Sequence, residues 1–212
     1  MIETSTGLIL RTRPLTDTSL IIHWLTGDLG RLATVAKGAR RPKSPFAGKL
    51  DLFYLARFSF QRSRRSELHQ LREVDLQETH AALRRDVQAL QQASYCAALV
   101  EQTTETETPV PAIYTLMTGV LEQLRRHEPQ AQTVPAFEMK LLAELGLQPD
   151  LDKEKLKPDL KQILRLLHEG DWAKVSRLKL LPAQMVALNR FLGGFMVYHL
   201  GKVPAGRDRA MG

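Results

Sequence analysis

Between Arg31 and Arg65 the chain carries ten basic side chains and one acid. The basic residues are Arg31, Lys37, Arg40, Arg41, Lys43, Lys49, Arg57, Arg62, Arg64 and Arg65; the acid is Asp51. That segment sums to +9 while the whole chain of 212 residues sums to +7, so the remainder is slightly acidic. Cations concentrated with one sign suit the holding of a polyanion, because each neutralised phosphate releases condensed counterions. A charge run is commonly a solvated face. Solvated faces interleave both signs, however, so this concentration points to a functional field. Arg11 and Arg13 lie upstream on a strand that could border the same groove.

Bond-making chemistry leaves no comparable trace. The sequence holds neither a GxxxxGK[ST] phosphate loop nor a GxGxxG turn. Its six histidines, His23, His69, His80, His127, His168 and His199, lack the spacing of helical metal ligands. Cys96 is the one cysteine and sits in an apolar run, which predicts a buried, inert thiol. Glu105 and Glu107 read as a solvated pair in a polar loop, and Gly193-Gly194 as close packing within a helix. The expectation is a chain with no catalytic residue, no metal and no cofactor. No apolar stretch approaches the ~20 residues that span a bilayer. The N-terminus lacks a signal-peptide pattern, so no membrane partner and a cytoplasmic setting are expected.

Strands must position these cations. Gly7 to Arg13, Ser19 to Thr26 (with Leu20, Ile22 and Trp24 on one face and Ile21, His23 and Leu25 on the other) and Arg31 to Lys37 read as strands of a meander, its second turn at Gly27-Asp28-Leu29-Gly30. Gly38 to Gly48 is a loop rich in Gly, Pro and basic residues. Leu50 to Gln61 and Ser66 to Leu76 make a long hairpin with a basic turn. Five strands of this length suit an OB-fold barrel, which commonly binds single-stranded nucleic acid; an SH3-like barrel has a similar count. Phe53, Tyr54, Phe58 and Phe60 run through strand four, either as a base-stacking face or as barrel core.

From Glu78 the period becomes helical. Leu83, Val87, Leu90, Ala93, Ala97 and Val100 form one stripe, followed by a loop from Thr103 to Pro111. Ile113 to Leu124, Phe137 to Leu145 (ended by Gly146) and Leu160 to Leu167 predict three more helices. A turn around Trp172 and Val175 precedes a last helix opened by Pro182, with Met185, Leu188, Phe191, Leu192, Phe195 and Met196 inward. The fold class expected is α+β: residues 1–77 a five-stranded OB-fold barrel, residues 78–212 an all-helical domain without a zinc element.

At Val35-Ala36-Lys37-Gly38-Ala39-Arg40, preceded by Gly30-Arg31-Leu32, the chain resembles the RecO DNA-repair family. So do Arg13-Pro14 with Asp17-Thr18-Ser19-Leu20, Phe137-Glu138 with Leu141-Leu142 and Leu145-Gly146, and Leu200-Gly201-Lys202 with Arg207. Some RecO proteins carry a four-cysteine zinc element after the Leu-Gly helix end; residues 147–158 here have no cysteine. Pro135 and Ala136 stand where relatives can place basic residues. The resemblance implies a non-enzymatic, nucleoid-associated mediator. It would bind single- and double-stranded DNA, anneal complementary strands and, with RecR, help load RecA onto strands coated by single-strand-binding protein. The expected DNA contacts are Arg11, Arg13, Arg31, Lys37, Arg40, Arg41, Lys43, Lys49, Arg62, Arg64 and Arg65. The acidic tail of single-strand-binding protein would meet the helical domain at Phe137, Leu141 and Met117, rimmed by Arg125, Arg126 and Lys140. Phe137 and Leu141 would equally suit a helical core. The competing reading is an OB-fold adaptor for RNA or ribosomal surfaces. A nuclease would need a carboxylate cluster, of which the sequence shows none.

Overall fold

The stretches read as strands form strands, and the computed structural model, which describes residues 2–212, closes them into a barrel. Strands β1 (Ile2–Pro14), β2 (Leu20–Thr26), β3 (Gly30–Ala36), β4 (Leu55–Gln61) and β5 (Leu68–Glu78) follow in the order β1-β2-β3-β5-β4 around the wall. Neighbours are antiparallel except β3 and β5, which run parallel through Ala33↔Leu68, Thr34↔His69 and Val35↔Gln70. This is the expected OB-fold.

Strand β1 is longer than the stretch from Gly7 suggests. Its first half pairs β4, from Ile2↔Gln61 to Leu8↔Leu55, and its second half pairs β2. Gly7 serves both partners, and a Cβ there would stand 2.9 Å from Thr26 Cγ2 and 3.1 Å from Phe58 Cε1. Strand β4 starts later than Leu50 because Phe53 adopts φ +63 and donates its N–H to the Ile9 carbonyl at 2.8 Å. Inside, Trp24 stacks on Phe58 at 4.0 Å, followed by Phe60 and His69. The Trp24 indole N–H donates to Thr34 Oγ1 at 2.8 Å, which satisfies the one polar group of that buried ring.

The chain divides into two compact units. The barrel unit holds the chain up to Ala81 together with Thr104–Thr115; the helical unit holds Ala82–Thr103 and Leu116–Gly212. The helices are α1 (Val87–Thr103), α2 (Pro111–Arg126), α3 (Thr133–Glu144), α4 (Pro158–Glu169), α5 (Trp172–Arg177), α6 (Pro182–Leu200) and α7 (Arg207–Met211). Helix α3 is central: nine of its twelve residues are buried, the signature of a helix apolar all round. It ends at Gly146 (φ +70), where Leu147 N–H reaches Leu142 O and Gly146 N–H reaches Ala143 O, a Schellman closure. Among the described residues no helix is long and apolar enough to cross a membrane.

Four features depart from the sequence pattern. Helix α1 buries Ala93, Ala97 and Val100 of the expected stripe but also Ala89, Gln92, Tyr95, Cys96 and Leu99, and leaves Val87 exposed, so its inner face is wider than the stripe. The turn at Trp172 is helix α5, capped by Asp171 accepting from Lys174 N–H at 2.7 Å. Helix α6 fully buries only Leu188, Leu192 and Met196, while Val186, Val197 and Tyr198 stay exposed. An apolar sequence on every side hides which side packs. Lastly, the basic tail folds as α7, and Arg207 reaches Glu138 of α3 at 2.7 and 2.8 Å. Glu138 is fully buried and also accepts from Tyr95 Oη at 2.6 Å. Burial raises the Glu138 pKa against the pull of Arg207.

Candidate nucleic-acid interface

The outer face of β1, β2 and β3 follows from strand parity. Ile22 and Trp24 are fully buried in the barrel core, so Ile21 and His23 face outward. Register then places Arg11 beside His23 and Ala33, and Arg13 beside Ile21 and Val35. The field there acts on His23, whose pKa is depressed from 6.5 to about 4. Partial burial is the first cause; Arg11, Arg13 and Arg31 add repulsion. A face that repels one further proton attracts an anion for the same reason.

The cations of the long loop are held by a chain of tight turns. Arg41 N–H bonds Gly38 O, Ser44 N–H bonds Arg41 O, Ala47 N–H bonds Ser44 O and Lys49 N–H bonds Phe46 O. Arg40 N–H is tied to Thr18 O at 3.0 Å. Phe46 anchors the loop, 7% exposed within the barrel core cluster. Lys37, Arg40, Arg41 and Lys43 stand exposed and Lys49 partly so; Arg13, Arg64 and Arg65 are also exposed. Among the described residues none of these eight has an ion-pair partner.

Arg31 and Arg62 have a different setting. The segment Thr104–Thr115 belongs to the barrel unit and straps across it. Thr106 bridges to Arg31, Glu107 N–H donates to Arg31 O at 2.7 Å, and the Arg31 guanidinium donates to Thr104 Oγ1 at 2.8 Å and to the Thr104 carbonyl. Arg62 pairs with Glu3 at 2.7 Å and Glu107 at 2.6 Å, which raises its pKa and lowers that of Glu3. Glu107 is thus exposed, as a solvated carboxylate would be, but ion-paired. It also meets His69 Nε2 at 2.5 Å, and because Ser63 N–H donates to His69 Nδ1 in the same ring, the imidazole proton lies on Nε2. Of the aromatics in and before β4, Phe53, Phe58 and Phe60 are at most 1% exposed and Tyr54 packs against the barrel core. They are core, not a stacking face.

In the helical unit, Phe137, Leu141 and Met117 are 0%, 1% and 0% exposed. Lys140 donates to His168 O and Gly170 O at 2.6 Å, closing the C-terminus of α4, and burial lowers its pKa. Arg125 and Arg126 both pair with Glu122, whose carboxyl is held down to about 2 chiefly by Arg125. An open groove of about 690 Å³ lies elsewhere, between α4 and α6. Leu156, Leu160, Val186 and Phe191 line it, with Lys155, Lys157 and Arg190 also on its walls.

Residues 1–80 match the family model for the N terminal of recombination protein O, and residues 84–156 the model for its C terminal. The chain is 34% identical over 154 residues to the DNA repair protein RecO of Exiguobacterium sibiricum, covering 72% of this chain and 60% of that protein. It is 30% identical over 152 residues to the DNA repair protein RecO of Listeria monocytogenes, covering 71% and 58%. To that of Rhodopirellula baltica it is 30% identical over 143 residues, covering 68% and 53%. The match thus spans somewhat over half the length of these relatives.

Proposed function

Since the chain belongs to the RecO family of DNA repair proteins, we propose that it binds single- and double-stranded DNA through its barrel and anneals complementary strands without catalysis of its own. The observation that carries this reading is the set of eight unpaired cations at the barrel, beside a face that holds His23 unprotonated. Charges left without internal partners interact with phosphates at no cost in broken ion pairs. Such contacts position a strand and read no base, as an annealer requires. Arg31 contributes to this field while holding the strap, Arg11 lies at its β1 border, and Arg62 holds the strap through Glu107.

Family membership supports the remaining roles: partnership with RecR and loading of RecA onto strands coated by single-strand-binding protein. That protein's acidic, hydrophobic-ended tail needs an apolar pocket and a cationic rim. The α4–α6 groove supplies both, whereas Phe137 and Leu141 are core and Lys140 closes a helix. Arg125 and Arg126 offer a second, exposed cationic surface, shared with Glu122.

The test is annealing of complementary strands coated by single-strand-binding protein, with and without this chain. Acceleration by wild type, abolished in a Lys37→Ala, Arg40→Ala, Arg41→Ala variant, is the expected result. The variant should weaken binding equally for unrelated sequences. It should also flatten the salt dependence by roughly 0.7 to 0.9 log units for each phosphate no longer neutralised. An unchanged salt slope would place the DNA site elsewhere. For the tail, peptide titration should weaken with Lys157→Ala, Arg190→Ala and be retained with Arg125→Ala, Arg126→Ala; the reverse pattern would move the site to α2.

A further inference from the structure

Strands β3 and β5 share only three parallel pairs before they part. After Val35, β3 ends at Ala36 and the chain turns into the basic loop, while β5 continues against β4 with Gln70 opposite Gln61. An open cleft of about 280 Å³ remains where they diverge. Thr34 and His69 point into the barrel, bonded to Trp24 and stacked on Phe60, so Val35, Leu68 and Gln70 face outward by parity. Val35 and Leu68 supply an apolar floor, Gln61 and Gln70 an amide wall, and Lys37 a cationic lip.

The volume falls at the lower edge of the roughly 300 to 1,000 Å³ typical of small-molecule sites. It is of the size of a single nucleotide. Each glutamine amide offers two donors and one acceptor. The Gln61 oxygen is taken by Arg72, leaving its amide hydrogens, and the Gln70 side chain makes no hydrogen bond among the described residues. Single-strand binders usually grip bases by aromatic stacking. Phe53, Phe58 and Phe60 are buried here, so recognition at this cleft falls to base edges.

We propose that this cleft holds one unpaired nucleotide, its base over Val35 and Leu68, its pairing edge on the Gln61 and Gln70 amides and its phosphate at Lys37. The inference rests on the reading of the barrel as a DNA interface and adds to it a discrimination. A base already paired has no free edge to present, so the cleft accepts single strands and refuses duplex.

The test compares binding of the full chain to oligodeoxythymidylate and to an abasic strand of equal length and charge. Wild type should prefer the base-bearing strand by about tenfold, the equivalent of one good amide–base contact. A Gln61→Leu, Gln70→Leu variant should lose that preference while keeping its affinity for the abasic strand and its salt slope. Should a thermal melt show the double variant unfolding early, Gln70→Thr carries the same comparison. A wild type without preference, or a variant that keeps it, overturns the cleft assignment. A wild type that binds neither strand overturns the DNA reading of the barrel and the cleft with it.

Discussion

His23 reports on its surroundings more directly than any of the arginines around it. Its pKa of about 4 lies below the ordinary 6.5, so the folded chain binds fewer protons than the unfolded chain between those values. The stability it contributes is therefore complete above pH 6.5 and lost as pH falls toward 4. Phosphates docking against Arg11, Arg13 and Arg31 would cancel the repulsion, so strand binding should take up a proton and tighten as pH falls through the same window. Histidine-resolved NMR titration checks both points. The His23 pKa should rise with saturating oligonucleotide and rise partly in Arg13→Gln, since burial remains the first cause; a value unmoved by oligonucleotide would place the phosphates elsewhere. The cations are legible in the sequence as a class, but their individual fates are not. Arg31 and Arg62 read like Lys37, yet their partners Thr104 and Glu107 lie 73 and 45 residues away. Spacing along the chain carries no record of such pairs.

Elements are legible where one face is buried and the other wet. Strand β3 alternates cleanly while β2 buries Trp24, Leu25 and Thr26 in a row, and the ends of both fall within a residue of the expected stretches. The start of β1 is hidden, because Glu3, Thr4, Ser5 and Thr6 offer no apolar alternation. Helix α7 has only five residues, too few for a period, and its place is set by Arg207. Removing that guanidinium strands the buried Glu138 carboxylate, so Arg207→Ala should cost about 3–5 kcal/mol in denaturant unfolding. The paired replacement Glu138→Leu, Arg207→Met should be far milder; equal losses in the two would show that the ion pair is not what anchors α7. The strap depends on a glycine in the same way. A Cβ on Gly30 (φ +72) would lie 1.9 Å from Thr108 O. Gly30→Ala should therefore free Thr104–Thr115, seen as faster amide exchange there while the barrel strands stay protected.

At the scale of the molecule, the +9 run of residues 31–65 lies wholly within the barrel unit, where acids elsewhere in that unit cut its net charge to +3 and leave +4 on the helical unit. The discontinuity of the barrel unit leaves no such mark: a loop beyond the first helix returns to the barrel. If all eight unpaired cations engage a single strand, log affinity should fall with log salt at a slope of roughly −6, and a slope near −2 would confine binding to a few of them. The returning strap also gives the molecule a schedule. All five strands are complete once Glu78 is made, but Glu107 comes 29 residues later, after α1. At ribosomal rates of 5–20 residues per second, the nascent barrel spends roughly 1–6 s with His69 and Arg62 short of a carboxylate. Newborn chains in that interval are the ones a chaperone or protease would meet. Ribosomes stalled before Glu107 clears the exit tunnel should yield barrels cut faster by protease than those stalled after it, and equal rates would mean that the barrel matures without its strap.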